Sequence, residues 1–177
     1  MGAINYGTSN YITIGIEPYD ASDFEKDIDF MKELQNEVNE YGGTLEEAMT
    51  NFIQGCYEAD HSNIEYLLKN KYDFAFFHVA IEWGYYEGFY IDIENNYPVC
   101  YDSWSDKQAA LKEATQIKIF LLECIDMGLC EVWPGWCTSY KSRGESIKSV
   151  KQAIRDMKEE IRTIPTWEHC RRLGIEV

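Results

Sequence analysis

Two β-rich runs, Asp73 to Trp83 (DFAFFHVAIEW) and Tyr86 to Glu94 (YEGFYIDIE), stand on either side of Gly84. Aromatic and β-branched side chains suit a pleated, half-buried surface, and so short a connection joins strands only in the antiparallel sense. The chain is therefore expected to contain an antiparallel hairpin, and its aromatic load implies a sheet that forms part of a core. A further strand is expected over Asn10 to Glu17, NYITIGIE, ended by Pro18 and Asp20. A short one is expected over Leu129 to Trp133.

The remaining apolar residues recur with helical period. Ser22 and Glu25 have the spacing of a capping box, followed by Phe24, Ile28, Met31, Leu34, Val38 and Tyr41 at steps of three and four, with Gly42 and Gly43 as the stop. Thr44 and Glu47 open a second helix through Leu45, Met49, Phe52 and Ile53, and a shorter one is expected from about His61 to Asn70. Ser105 with Gln108 marks a helix running to Gly128, and Ile147, Val150, Ile154, Met157 and Ile161 define a last one from Glu145 to Thr163, before Pro165. The expected fold is α+β, an antiparallel sheet packed with helices in the order β-α-α-ββ-α-β-α. A length of 177 residues with 45% hydrophobic content suits one core, so residues 1–177 are expected to form a single domain.

No run approaches the roughly 18 to 20 apolar residues of a membrane span, and Met1 to Asn10 has neither a basic nor an apolar stretch. A cytoplasmic protein without membrane contact is expected. Cys56, Cys100, Cys124, Cys130, Cys137 and Cys170 show no metal-site spacing and read as reduced thiols, so no metal or cofactor is expected. Of the three histidines, His78 lies in an apolar strand and reads as a packing residue. Glu82, Glu87 and Glu94 could form a glycosidase-like carboxylate pair, but such neighbours are also expected by chance in an acidic protein. With no nucleophile triad and no phosphate-binding glycine loop, catalysis is not expected.

Charge is distributed unevenly. Residues 1–102 hold 20 acidic and 4 basic side chains, whereas residues 103–177 hold 11 and 12. The first part is thereby unsuited to binding phosphates and suited to basic partners. Within it, Glu25, Asp29, Glu33 and Glu37 follow at four-residue intervals, which on one helix sets a carboxylate roughly every 6 Å. Glu40, Glu46 and Glu47 extend the row. Such a row can take the place of phosphates in a basic, nucleic-acid-binding groove; it can equally be a solvated face.

Lys148, Lys151, Arg155, Lys158 and Arg162 form an opposite stripe on the last helix, relieved by Asp156, Glu159 and Glu160. It can be a solvated face, and contact with RNA, with an acidic protein, or with the acidic helix of a second copy in a homodimer are further open readings of it. A separate interface candidate is the WPGW bend, where Trp133 and Trp136 flank Pro134 and Gly135.

The opening MGAINYGTSNYITIGIEPYD, the hairpin GYYEGFYIDIENN and the segment LLECIDMGLCEVWPGWCT resemble a family of small acidic proteins carried by phages and mobile elements of Gram-positive bacteria. Among such proteins are anti-CRISPR inhibitors of the type II RNA-guided nuclease. The resemblance implies action in the bacterial host cytoplasm, on a CRISPR type II nuclease with guide RNA, blocking target-DNA binding or cleavage. That nuclease reads its adjacent motif with arginines and holds nucleic acid in positive channels, so an acidic helix suits it as a competitor. Alternatives are an antirestriction DNA mimic directed at another enzyme, or an adaptor binding through the WPGW surface.

Overall fold

Four antiparallel strands form one sheet: β1 (Ser9–Gly15), β2 (His78–Trp83), β3 (Phe89–Asn96) and β4 (Glu131–Trp133), in spatial order β2-β3-β1-β4. They belong to a computed structural model that describes residues 9–15, 19–84, 88–128, 131–133 and 143–176. The register sets Ile12 beside Ile93, Ile14 beside Ile91, Val79 beside Ile93 and Ile81 beside Ile91. Because side chains alternate across a strand, this puts the branched residues on one face. Thr13, His78, Ala80, Glu82, Tyr90, Asp92 and Glu94 fall on the other.

Six helices complete the described chain: α1 (Ala21–Glu25), α2 (Ile28–Tyr41), α3 (Leu45–Asn70), α4 (Trp104–Asp126), α5 (Arg143–Thr163) and α6 (Trp167–Leu173). The apolar face of the sheet forms one cluster with Tyr57 and Ile64 of α3, Ala110, Ala114, Ile117, Phe120 and Leu121 of α4, and Val150, Ile154, Met157 and Ile161 of α5. Fully burying a side chain such as Ile117 or Phe120 is worth about 1.5–3 kcal/mol. These layers hold the molecule together, and the architecture is the α+β arrangement expected from the sequence.

Two buried charges tie the layers. The Glu113 carboxylate on α4 accepts from the backbone N–H groups of Phe76 and Phe77, at 2.7 and 2.9 Å. Lys107 donates to the carbonyls of Arg162 and Ile164, at 2.7 and 2.6 Å, satisfying acceptors that the end of α5 leaves without intrahelical partners. Beyond Pro165, Tyr101 and Thr166 form a parallel bridge that seats α6, a helix absent from the sequence reading.

Several boundaries differ from expectation. The first helix is two, because Asp27 leaves helical geometry (φ −86°, ψ 102°) and its carboxylate accepts from the N–H groups of Asp29 and Phe30, capping a new start. Asp20, not a Ser22–Glu25 box, caps α1. Conversely, the two helices expected between Thr44 and Asn70 are one, running through an exposed Gly55 whose missing side chain faces open space. β2 begins at His78, not Asp73, since the preceding amides are held by Glu113. Ser103, not Ser105, caps α4, its hydroxyl accepting from the N–H of Asp106.

Candidate acidic interface on the helical arm

α2 and the first half of α3 make a helical hairpin turned by Gly42 and Gly43, whose φ angles of 87° and 94° suit glycine. Thr44 and Glu47 form the expected capping box: the Thr44 N–H donates to the Glu47 carboxylate at 2.9 Å, and the Glu47 N–H to the Thr44 hydroxyl at 3.1 Å. α2 buries only Leu34, and α3 buries Met49 before Tyr57; neither Leu34 nor Met49 belongs to the main cluster. The hairpin is an arm, fastened at its base by aromatic contacts. Phe52 meets Phe30 at 4.6 Å and Phe24 at 5.1 Å between ring centroids. Tyr19 stacks edgewise on Tyr57 at 5.0 Å and donates its hydroxyl to Asp60 at 2.6 Å.

Asp29, Glu33, Glu37 and Glu40 are exposed on α2, as are Glu46 and Glu47 at the start of α3. Asp29, Glu33 and Glu37 keep the four-residue spacing on one continuous helix, so the repeat of roughly 6 Å holds for those three. Glu25 does not belong to the row. It ends α1, and the break at Lys26 and Asp27 removes it from the helical register of α2. Glu37, Glu46 and Glu47 converge instead on a groove of about 530 Å³ at the arm's tip, shared with Tyr41 and Gly43. Glu47 is partly engaged there by its own cap.

Local neutralisation is slight: Lys32 lies 3.6 Å from Asp29 with both side chains exposed, and Lys26 reaches Asp23 at 2.8 Å. Exposed pairs of this kind contribute little. Ile28 and Tyr41, both on the apolar stripe expected to be buried and standing at the two ends of α2, are 70% and 77% exposed. Apolar groups therefore bracket the acids. Leu34 of the same stripe is buried, and Phe30 rather than Ile28 or Tyr41 meets α3, through Phe52.

Trp133 closes β4 opposite Thr13, and Trp136, with the rest of 134–142, lies outside the described residues. His78 is exposed rather than packed, on the outer face beside Glu94. Glu82 and Glu94 sit opposite Tyr90 and His78, four strand positions apart, which is about 13 Å along the strand and wider than glycosidase pairs use; Glu87 is outside the described residues. A second groove, of about 650 Å³, includes His78, Glu94 and Cys100. Burial, with Cys170 and Asp102 nearby, pushes the Cys100 thiol up, opposite to the shift that activates a nucleophile. On α5, Lys148, Lys151 and Arg155 are exposed, whereas Lys158 donates to Thr115 and Arg162 pairs with Glu159.

The fold and this surface together define a class: an α+β protein that carries an acidic helical arm. No protein-family model, curated protein or solved structure matches the chain.

Proposed function

We propose that this protein inhibits a basic, nucleic-acid-binding enzyme by inserting its acidic arm where a phosphate backbone would lie. The observation that carries this reading is the exposed set Asp29, Glu33, Glu37, Glu40 and Glu46 on a hairpin that contributes little to the core. Carboxylates at roughly 6 Å spacing on a rigid helix resemble the charge density of a nucleic-acid strand, and binding them releases counterions from the partner's groove. Ile28 and Tyr41 add apolar contact at the rim of the same surface, which phosphates alone would not offer. The type II RNA-guided nuclease with its guide RNA is the partner that the family resemblance implies, and its positive channels meet these requirements.

The test is DNA cleavage by a purified guide–nuclease complex with and without the protein, over a salt series. Inhibition that fades as salt rises is expected, and Glu33→Gln/Glu37→Gln/Glu40→Gln should weaken it by at least about tenfold while flattening the salt dependence. Unchanged cleavage with no binding to the complex would reject this partner; inhibition of a restriction or modification enzyme would then assign the arm to an antirestriction role. Inhibition untouched by the triple variant would reject the arm itself.

A further inference from the structure

β2 stands at the edge of the sheet, and among the described residues no strand pairs with its outer side. Its orientation follows from the hairpin: the Gly84 N–H donates to the Gly88 carbonyl at 2.9 Å, so this pair is a bonded position. Antiparallel ladders alternate bonded and non-bonded pairs. His78, Ala80 and Glu82 therefore turn their backbone groups towards β3, and Val79, Ile81 and Trp83 turn theirs outward. An edge of this kind is normally blunted by lysine, proline or a bulge. HVAIEW has none of these, and its pairing with β3 is uninterrupted.

The inner face of the edge is also incompletely covered. Ile91 and Ile93 are 0% exposed, yet Ile81 and Val79 beside them are only half-buried. Trp83 is 46% exposed although it stacks on His61 at 4.9 Å. A strand laid against β2 would complete both the ladder and this apolar layer.

We propose that the occupant is β2 of a second copy, paired antiparallel about a two-fold axis through Ala80. In that register Val79 lies opposite Ile81 of the second copy, and each turns its free backbone groups towards the other. Applied twice by symmetry, this makes four interchain hydrogen bonds. On the outer face His78 lies opposite Glu82 of the second copy, where an imidazole N–H can donate to the carboxylate. Ala80 meets its own counterpart, leaving room at the axis. Shifting the axis to Val79 places His78 against Ala80, and shifting it to Ile81 places His78 against Gly84, so only the Ala80-centred register pairs the two complementary side chains. The ladder ends at Phe77, whose N–H is held by Glu113.

So short an interface, between copies of formal charge −15 each, makes a weak dimer that tightens as salt screens their repulsion. This is opposite to the salt response of the inhibitory arm, so the two proposals stand or fall separately. Sedimentation equilibrium from micromolar to millimolar protein, at low and moderate salt, should show a dimer that grows with both. Ala80→Cys should trap that dimer under glutathione disulfide beyond the wild-type background, because non-bonded pairs bring Cα atoms to about 4.5 Å, within disulfide range. His78→Glu should raise the dimer Kd about tenfold by opposing like charges twice, and His78→Glu/Glu82→His should restore it. A monomer throughout, or a dimer that Ala80→Cys does not trap and the swap does not restore, would overturn the proposal.

Discussion

The arm and the α4–α5 pair each set two helices against one another, but they use charge in opposite ways. In α4 and α5, ionised groups are turned to structural ends: Glu113 holds two amides, Lys107 closes the end of α5, and Lys158 reaches Thr115 across the helix pair. Residues 20–58, which include the arm, hold eleven acids and two bases, and the α2 acids among them stay in water. A charge whose removal would destabilise the fold belongs to the fold; one whose removal leaves it intact or strengthens it is available to a partner.

The largest effect should come from breaking the buried ties. Glu113→Ala leaves the N–H groups of Phe76 and Phe77 without their acceptor and should cost about 3 kcal/mol in urea unfolding. Lys107→Met, which strands two carbonyls, should cost about 2 kcal/mol. Losses below about 1 kcal/mol for both would mean that charge in the body is as dispensable as charge in the arm.

Glu123 offers an intermediate test through pH. Hydrogen bonds from Lys71 and Tyr72 favour its ionised form and hold its carboxyl below the ordinary value. A depressed folded-state pKa contributes stability that is fully present above the unfolded value, about 4.3, and is lost as pH falls through the folded one. Glu123→Gln should therefore flatten the acid limb of the stability curve below that pH, measured by urea midpoints, and leave its slope above pH 6 unchanged. Equal slopes in the acid range for variant and wild type would show that the pairing is not maintained in solution.

In the arm the sign should reverse. Glu33→Gln/Glu37→Gln relieves like-charge spacing with Asp29 and Glu40 and should raise stability by about 0.5 kcal/mol, although the same change weakens partner binding. A loss of stability would mean that the row is structural after all.

The physical reasons for what the sequence revealed, and what it did not, follow the same division. Alternation in YIDIE and the capping box at Thr44 are local, and the structure keeps them. Glu113 was illegible because its partners lie 36 and 37 residues away. The break at Asp27 was hidden for a different reason: Phe24, Ile28 and Met31 stay in helical phase across it, so periodicity cannot register that the Asp27 side chain has captured the next two amides. Exposure of Ile28 and Tyr41 depends on which neighbours pack against α2, which no single-helix pattern encodes.

That break supplies the finest test of the arm. On a continuous helix, Glu25 would be equivalent to Glu33, and neutralising either would weaken binding by the same amount. With α1 ending at Glu25 and α2 restarting after Asp27, Glu25 lies outside the row. Against the partner identified by the cleavage assay, Glu33→Gln should raise Kd about threefold and Glu25→Gln less than about twofold, in the range of exposed ion pairs. Replacing Asp27 by Ala removes the cap that enforces the restart. If the two helices then fuse, Glu25 joins the row, and Glu25→Gln in that background should approach the Glu33→Gln effect. Equal effects in the parent protein would instead mean that the partner reads total charge, without regard to helical register.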